Sequence, residues 1–512
     1  VIRTARTLYR MAVIARTLAR HNALPETLAD LGPGLALAWR TVARRDTPGR
    51  TGQRLAAALR DLGPSFIKLG QMLSTRSDLV GERMAADLAE LQDKLPPFPG
   101  HAARAIVEAE LGRPIESLFL SFDDKPVAAA SIAQVHFAVT TDGREVAVKV
   151  LRPGIERAFE RDIDLFCWLA EWGERVWPKL KRLRPREVVD IFARTSRLEM
   201  DLRMEAAAAS ELAQNFEGDP TFLIPRIDWD RTARRVLTLE RIRGVKVDEM
   251  ERMVEAGYDR DEILAKASAG FFNQVFRDGF FHADLHPGNL FVVENGNIAA
   301  VDFGIMGRLD RATRYYLADM LIGFLTGDYR RVALVHFQAG YVPAHQSIEL
   351  FTQACRAIGE PLQNKPLNEI SVGRLLAQLF AVTEQFEMET QPQLLLLQKS
   401  MLTAEGVGRI LNPNVNMWEL ARPLIEEWMR ENRGPEAQLL DDVEAAVRTL
   451  RRLPGLVEEA ERAASRLASD GVRLHPDSVN AIVDARTRRR RAELIPVWGA
   501  IVFLALLVLV AL

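Results

Sequence analysis

Apolar and polar positions change their spacing several times along the 512 residues of the chain. Residues 1 to 54 set Ile2, Leu8, Met11, Ile14 and Leu18 among Arg3, Arg6, Arg10, Arg16 and Arg20, the spacing of a basic amphipathic helix. Such a helix can lie on an anionic membrane surface or can be a soluble helix with a solvated charged face, and the pattern fits both. A second helical stretch runs from Leu59 to Gln92 and holds Gly63-Pro64 near its start, as a helix entry does. The stiff sequence Pro96-Pro97-Phe98-Pro99-Gly100 breaks the pattern and predicts a boundary. Beyond a short helix near residues 101 to 111 the period drops to that of strands. Ile132-Ala133-Gln134-Val135-His136 and Glu145-Val146-Ala147-Val148-Lys149-Val150 face each other across an Asp142-Gly143 turn. Trp229 to Gly244 reads as further strands, and residues 247 to 433 return to helical periodicity.

Residues 434 to 485 predict a more polar helical extension, followed by Arg486, Thr487 and Arg488 to Arg491 and then by the apolar run Leu494 to Leu512. That run has the length of a membrane helix, about 20 residues, and the arginines before it would stay cytoplasmic; a buried core helix is the alternative. The arginines that interrupt the first apolar positions argue against a secretory signal.

The totals narrow the class. With 48% hydrophobic and 27% charged residues the composition is globular, and the length exceeds the roughly 250–300 residues of a single core. A net charge of −2 argues against a nucleic-acid partner. Cys167 and Cys355 are too few and too distant for a disulfide framework, which points to a reducing compartment.

Chemistry concentrates between Phe281 and Gly304. Asp284 is followed five places later by Asn289, and Asp302-Phe303-Gly304 comes after two apolar runs flanking Asn295-Gly296, a pair that favours a two-residue hairpin. Kinase-type phosphoryl transfer uses this spacing: Asp284 would orient or deprotonate the attacking hydroxyl or water, while Asn289 and Asp302 would hold magnesium against the nucleotide phosphates. A lone Asp-Phe-Gly is a weak signal, but with His282-x-Asp284 and Asn289 across a hairpin it becomes specific. Lys149, set among valines, needs an anionic partner unless it reaches solvent at a strand end. Glu205 is the candidate, in a helical run where Asp201 and Glu205 share a face and Glu199 lies about 200° from Asp201. Where a glycine-rich loop would cover phosphates, the chain has Pro126, Val127, Ala128, Ala129, Ala130 and Ser131, continuing into Ile132, Ala133 and Gln134. Alanine resists positive φ, so fewer amides should wrap the phosphates. Lys68 and Gln71 share a helix face across Gly70, which on spacing alone fits a surface pair as well as a site. Leu237 to Ile242 is the expected adenine-contacting hinge, and after Gly304 no substrate-docking segment follows.

These motifs resemble the UbiB family of atypical kinases, membrane-associated proteins of ubiquinone biosynthesis, over about residues 60 to 310. The likeness rests on KLGQ at Lys68 to Gln71, AAAS at Ala128 to Ser131, VAVKV around Lys149, Glu199-x-Asp201 with Glu205, HADLHPGN from His282 to Asn289, and DFG at Asp302. The resemblance implies that the Lys68 helix folds over the nucleotide pocket and pairs with Glu199-x-Asp201, which makes Lys68, Gln71, Glu199 and Asp201 site residues. It also implies an α+β, kinase-like two-lobed fold with a helical N-terminal extension and a C-terminal transmembrane helix. The expected parts are the extension (1–99), an N-lobe (100–246), a helical C-lobe (247–433), a helical extension with a basic juxtamembrane segment (434–493) and the span (494–512). The expected activity is that of an ATP- and Mg2+-dependent kinase or ATPase supporting ubiquinone biosynthesis at the cytoplasmic face of the cell inner membrane. A lipid or isoprenoid-like small molecule and other ubiquinone-biosynthesis proteins are the expected partners. A small-molecule phosphotransferase and a nucleotide-sensing scaffold are the rival readings.

Overall fold

A computed structural model describes residues 2–23, 47–74, 80–89, 91, 95–176, 185–219, 221–362, 382–383, 385–388, 391–414 and 417–433. The chain divides into two compact units, Val1–Met429 and Arg430–Leu512. Only residues 430–433, the end of a helix, are described in the second, so the extension and the span expected over 434–512 lie outside the described residues. Among the described residues no helix is long and apolar enough to cross a membrane.

The N-terminal helices are α1 (Ile2–His21), α2 (Thr51–Leu62), α3 (Pro64–Ser74) and α4 (Glu82–Ala89). Gly63, at φ 107, makes the break between α2 and α3 that Gly63-Pro64 predicts. Helix α1 packs on α2, and its Val13 and Ile14 join the same core as Phe66 and Ile67 of α3. Arg10 of α1 donates from Nε and Nη2 to the buried carboxylate of Asp162 at 3.0 and 2.9 Å. At least one side of the basic helix therefore belongs to the protein interior.

Helices α5 (Gly100–Leu111) and α6 (Ile115–Leu118) precede a five-stranded antiparallel sheet of β1 (Phe119–Phe122), β2 (Ala128–Ala129), β3 (Ala133–Thr140), β4 (Glu145–Leu151) and, later in the chain, β6 (Val236–Glu240). Strand alternation sends Val146, Val148 and Val150 of β4 to one face, where they pack with Ala103, Ile106 and Val107 of α5. The opposite face carries Ala147, Lys149 and Leu151, and its apolar members share a core with helices α7 (Ile155–Val176), α8 (Pro185–Glu199) and α9 (Leu202–Asn215). Between α8 and α9 the chain does not continue as one helix. Asp201, with φ −116 and ψ 93, caps α9, and Met200 is buried at the corner, so Glu199 ends one helix and Glu205 begins the next.

Strand β5 (Phe222–Leu223) belongs to a four-stranded sheet with β7 (Val245–Lys246), β9 (Leu290–Val292) and β10 (Ile298–Ala300) in the order β5-β10-β9-β7. Helices α10 (Met250–Glu255) and α11 (Arg260–Phe272) follow β7. A two-stranded ribbon pairs β8 (Phe280–His282) with β11 (Met306–Arg308). Among the described residues helices α12 (Arg311–Thr326), α13 (Tyr329–Gln338), α14 (Ile348–Gly359), α15 (Pro392–Leu411) and α16 (Met417–Arg433) follow. One core draws Phe271, Phe276, Phe280, Phe281 and Phe303 together with Leu397, Val407, Leu411 and Trp428. The aromatics around the ribbon thus pack directly on α15 and α16.

Candidate active site

The hairpin β9–β10 builds one wall. Asn295 and Gly296 take φ 61 and 65 at its tip, the paired positive values of the turn that Asn-Gly favours. At its open end Val301 N donates to Asn289 O at 2.9 Å, which brings Asn289 and Asp302 beside each other from either strand. Asn289 Nδ2 donates to the Asp284 carbonyl at 3.2 Å. Below, the helix after α11 widens into a π turn over Asn273–Asp278, where buried Gln274 accepts from the His282 amide at 2.9 Å. His282 is fully buried, and burial lowers its pKa. It is therefore a neutral imidazole whose Nδ1 accepts from the Asp284 amide at 3.1 Å, with the proton on Nε2. Three successive contacts fix the main chain that carries Asp284.

The opposite wall is the sheet. Lys149 lies mid-strand, opposite Val135 of β3 and Leu237 of β6. Its Nζ donates to Glu205 Oε1 and Oε2 at 2.8 and 3.0 Å and to Asp302 Oδ1 at 2.9 Å. Strand alternation sends it toward α9, whose first turn holds Glu205. One ammonium between two carboxylates leaves the group with a net charge of about −1, and environment divides the titrations. Burial opposes charge on Lys149, but Asp302 and Glu205 outweigh it and its pKa is raised. Burial raises the pKa of Glu205, and the Asp302 charge adds to this. Burial also acts on Asp302, yet Lys149, with smaller help from Lys68, draws it down to about 2. Asp302 sits amid dense protein but keeps 48% of its side-chain surface open, the face a cation would use.

Helix α3 stands alongside. Lys68 Nζ meets Glu199 Oε2 at 3.0 Å, both largely buried, so the two motifs do come together. Asp201 caps α9 and pairs with Arg203 at 2.6 Å. Gln71 donates to the Leu91 carbonyl at 3.4 Å. Gly70 is closely packed: a Cβ there would stand 2.5 Å from Leu91 Cδ1 and 2.7 Å from Leu59 Cδ1, so both leucine ends would have to move.

The alanine loop folds as a tight hairpin. Val127 N donates to Val135 O, Ala128 and Ala129 pair with Val135 and Gln134, and Ala130 N donates to Ala133 O at 2.8 Å. Several of its amides are thereby used within the protein. Ser131 is buried at the tip beside half-buried Ile132, Pro126 flanks the loop, and Ala133 is buried. The Gln134 side chain is also buried, clasping the Phe98 main chain and His136. Its carboxamide therefore serves the sheet and the Pro-rich segment. Arg152, which the sequence did not single out, holds the loop down through the Ala130 carbonyl at 2.8 and 3.1 Å.

A second residue missed by the motifs is Lys399. From α15 its Nζ reaches Asp284 Oδ1 at 2.9 Å. In sequence it is the middle of the polar step Gln398-Lys399-Ser400 between Leu397 and Met401, a weaker signal than Lys149 among valines.

The ABC1 atypical kinase-like domain matches residues 90–336, and the UbiB helical domain matches residues 355–416. The chain is 47% identical over 388 residues to a protein of Marinobacter nauticus named "Probable protein kinase UbiB", an alignment covering 75% of this chain and 71% of that one. The chain belongs to the UbiB family of atypical kinases. A UbiB relative from Pseudomonas paraeruginosa, bearing the same name, is 44% identical over 85% of this chain and 82% of its own. Among solved structures, the erythromycin complex of Rv3197 from Mycobacterium tuberculosis is similar with a TM-score of 0.50 and 26% identity, covering 78% of this chain and 98% of that one. The fold is thus that of an atypical protein kinase, a class that works on a nucleotide with a divalent metal. Lys399 falls within the UbiB helical domain, whereas Asp284 and Asp302 fall within the kinase-like domain.

Proposed function

We propose that this UbiB-family chain binds ATP with Mg2+ between the sheet and the β9–β10 hairpin and turns it over slowly, in support of ubiquinone biosynthesis at the cytoplasmic face of the inner membrane. The observation that carries the reading is Lys149 held at once by Glu205 and Asp302, at 2.8 and 2.9 Å. A lysine fixed by a helix carboxylate beside a metal-ligand aspartate is the arrangement that steadies nucleotide phosphates in kinase-type sites. Asn289 and Asp302 are oxygen donors at the open end of one hairpin and suit a hard divalent cation. Bound there, magnesium would neutralise charge on the phosphate oxygens. Asp284 would orient the attacking water or hydroxyl and take up its proton.

Two features favour a small acceptor over a protein. Helix α3 brings Lys68 to Glu199 and near enough to Asp302 for its charge to be felt there. After Gly304 the short strand β11 leads almost at once into α12, which leaves no long docking segment. Asp284 remains 38% exposed, so water, a lipid headgroup or an isoprenoid-like molecule could reach it. This also supports the second reading, transfer to a lipid-like acceptor. Membrane attachment through residues 494–512 belongs to the same proposal. The test incubates labelled ATP with the full chain in membranes and follows the phosphate. Release to water or lipid, lost in Asp302→Asn, supports the reading; transfer to generic protein without hydrolysis contradicts it.

A further inference from the structure

Lys399 enters the site from a domain other than the one that supplies Lys149, Asp284 and Asp302. We infer that Lys399 is a positioning residue for Asp284, so that the acceptor side of the site is completed only when α15 of the UbiB helical domain is seated. The inference rests on the role given to Asp284 above.

The Asp284 main chain is fixed by His282 and Asn289, but neither contact reaches its carboxylate. The side chain's orientation is set by the 2.9 Å hydrogen bond from Lys399 Nζ to Oδ1. The other two lysines described above are committed elsewhere, Lys149 to Glu205 and Asp302 and Lys68 to Glu199. The place of Lys399 follows from the seating of its helix. Leu397, Ser400, Val407 and Leu411, spaced by three, seven and four residues, form a buried stripe on α15. The helix packs on α11 and on β11, and β11 is the ribbon partner of β8, the strand that leads directly to Asp284. A shift of α15 would therefore move the carboxylate's partner while leaving its backbone in place. The pair is 37% and 38% exposed, so its contribution to folding is small and its effect should fall on turnover.

The experiment measures ATP affinity and single-turnover hydrolysis separately for the full chain and for Lys399→Met and Lys399→Arg. Lys399→Met should lose roughly tenfold or more in turnover with ATP affinity held within about twofold, since an acceptor-side group acts on the rate alone. Lys399→Arg, which keeps a cation, should recover part of the loss. Adding Lys399→Met to Asp284→Asn should cost little more than Asp284→Asn alone, because the lysine acts through that carboxylate. Should the Met variant fold poorly, Lys399→Gln takes its place with the same outcomes. Unchanged or faster turnover in Lys399→Met, with ATP binding intact in the parent, overturns this inference alone. Failure of the parent chain to bind ATP would instead remove the reading beneath it.

Discussion

Lys149 Nζ and Asp302 Oδ1 stand 2.9 Å apart, joining the middle of the sheet to the residue that opens Asp302-Phe303-Gly304. Their separation in sequence is 153 residues, so the bond reports that the two walls of the cleft are in register. Glu205 shares the same ammonium and is the more buried carboxylate, at 7% side-chain exposure against 48% for Asp302. The three groups act as a unit, and replacing any one of them redistributes charge over the other two.

Removing the shared cation should be costly. Lys149→Met leaves the buried Glu205 carboxylate without its ammonium, and breaking a buried pair in this way costs about 3 kcal/mol. Combining it with Glu205→Leu should recover much of the loss. Urea unfolding of the parent, both single variants and the double variant measures this coupling. Strictly additive losses would show that the pair does not act as one.

Acid should weaken the Lys149–Asp302 contact in a defined window. The folded pKa of Asp302 is about 2, below its ordinary value of 3.8, so its stabilising share is present above about pH 4. The share is lost as pH falls through about 2. Because the carboxylate is half-exposed, screening limits the effect to about 1 kcal/mol or less. The stability difference between the parent chain and Asp302→Asn should therefore be constant from pH 7 to 5 and shrink below pH 4. A difference that instead grows on acidification would contradict the assignment.

Gly70→Ala should disturb α3 without touching any charged group. The added Cβ meets the buried ends of Leu59 and Leu91 at 2.7 and 2.5 Å, and overpacking of this kind costs about 1–3 kcal/mol. Melting temperature should fall, and a compensating Leu91→Ala should restore part of it. An unchanged melting point would mean that the two leucines yield freely.

Helix α1 should depend on one residue. Asp162 is 1% exposed and accepts from Arg10 as well as from Ser65 Oγ. Arg10→Ala removes the nearer of its two cations and leaves Arg161 at 3.6 Å, so local stability should fall, by less than the roughly 3 kcal/mol of a fully broken buried pair. Limited proteolysis should then cut near α1 first, whereas cleavage at the parent rate would contradict the latch.

Much of this site was legible because its signals are local. Asn295-Gly296 demanded positive φ at both positions, and the hairpin then placed Asn289 beside Asp302. Alternation along β4 set Lys149 opposite in sense to its valine neighbours and toward α9. The corner at Met200 was not legible, since Leu198 to Ala206 has helical propensity throughout and only the capping by Asp201 and the burial of Met200 break it. Gln134 was grouped with the loop by its place in sequence, but its direction along β3 turns it into the sheet. Gly70 admits two leucine side chains, which no spacing within α3 could disclose. Lys399 lies 115 residues beyond Asp284, and only the packing of α15 on the ribbon brings them together.

The most direct test compares Asp284→Asn and Asp302→Asn with the parent chain, measuring ATP binding with and without magnesium and hydrolysis on the same preparations. On the proposed reading Asp284 would act on the nucleophile, while Asp302 and Asn289 would hold the metal that meets the phosphates. The account predicts that Asp284→Asn binds ATP like the parent and fails to turn it over. Asp302→Asn should lose most of the magnesium-dependent affinity. Equal ATP affinity for all three proteins with and without magnesium, or parent-level hydrolysis by Asp284→Asn, would contradict it.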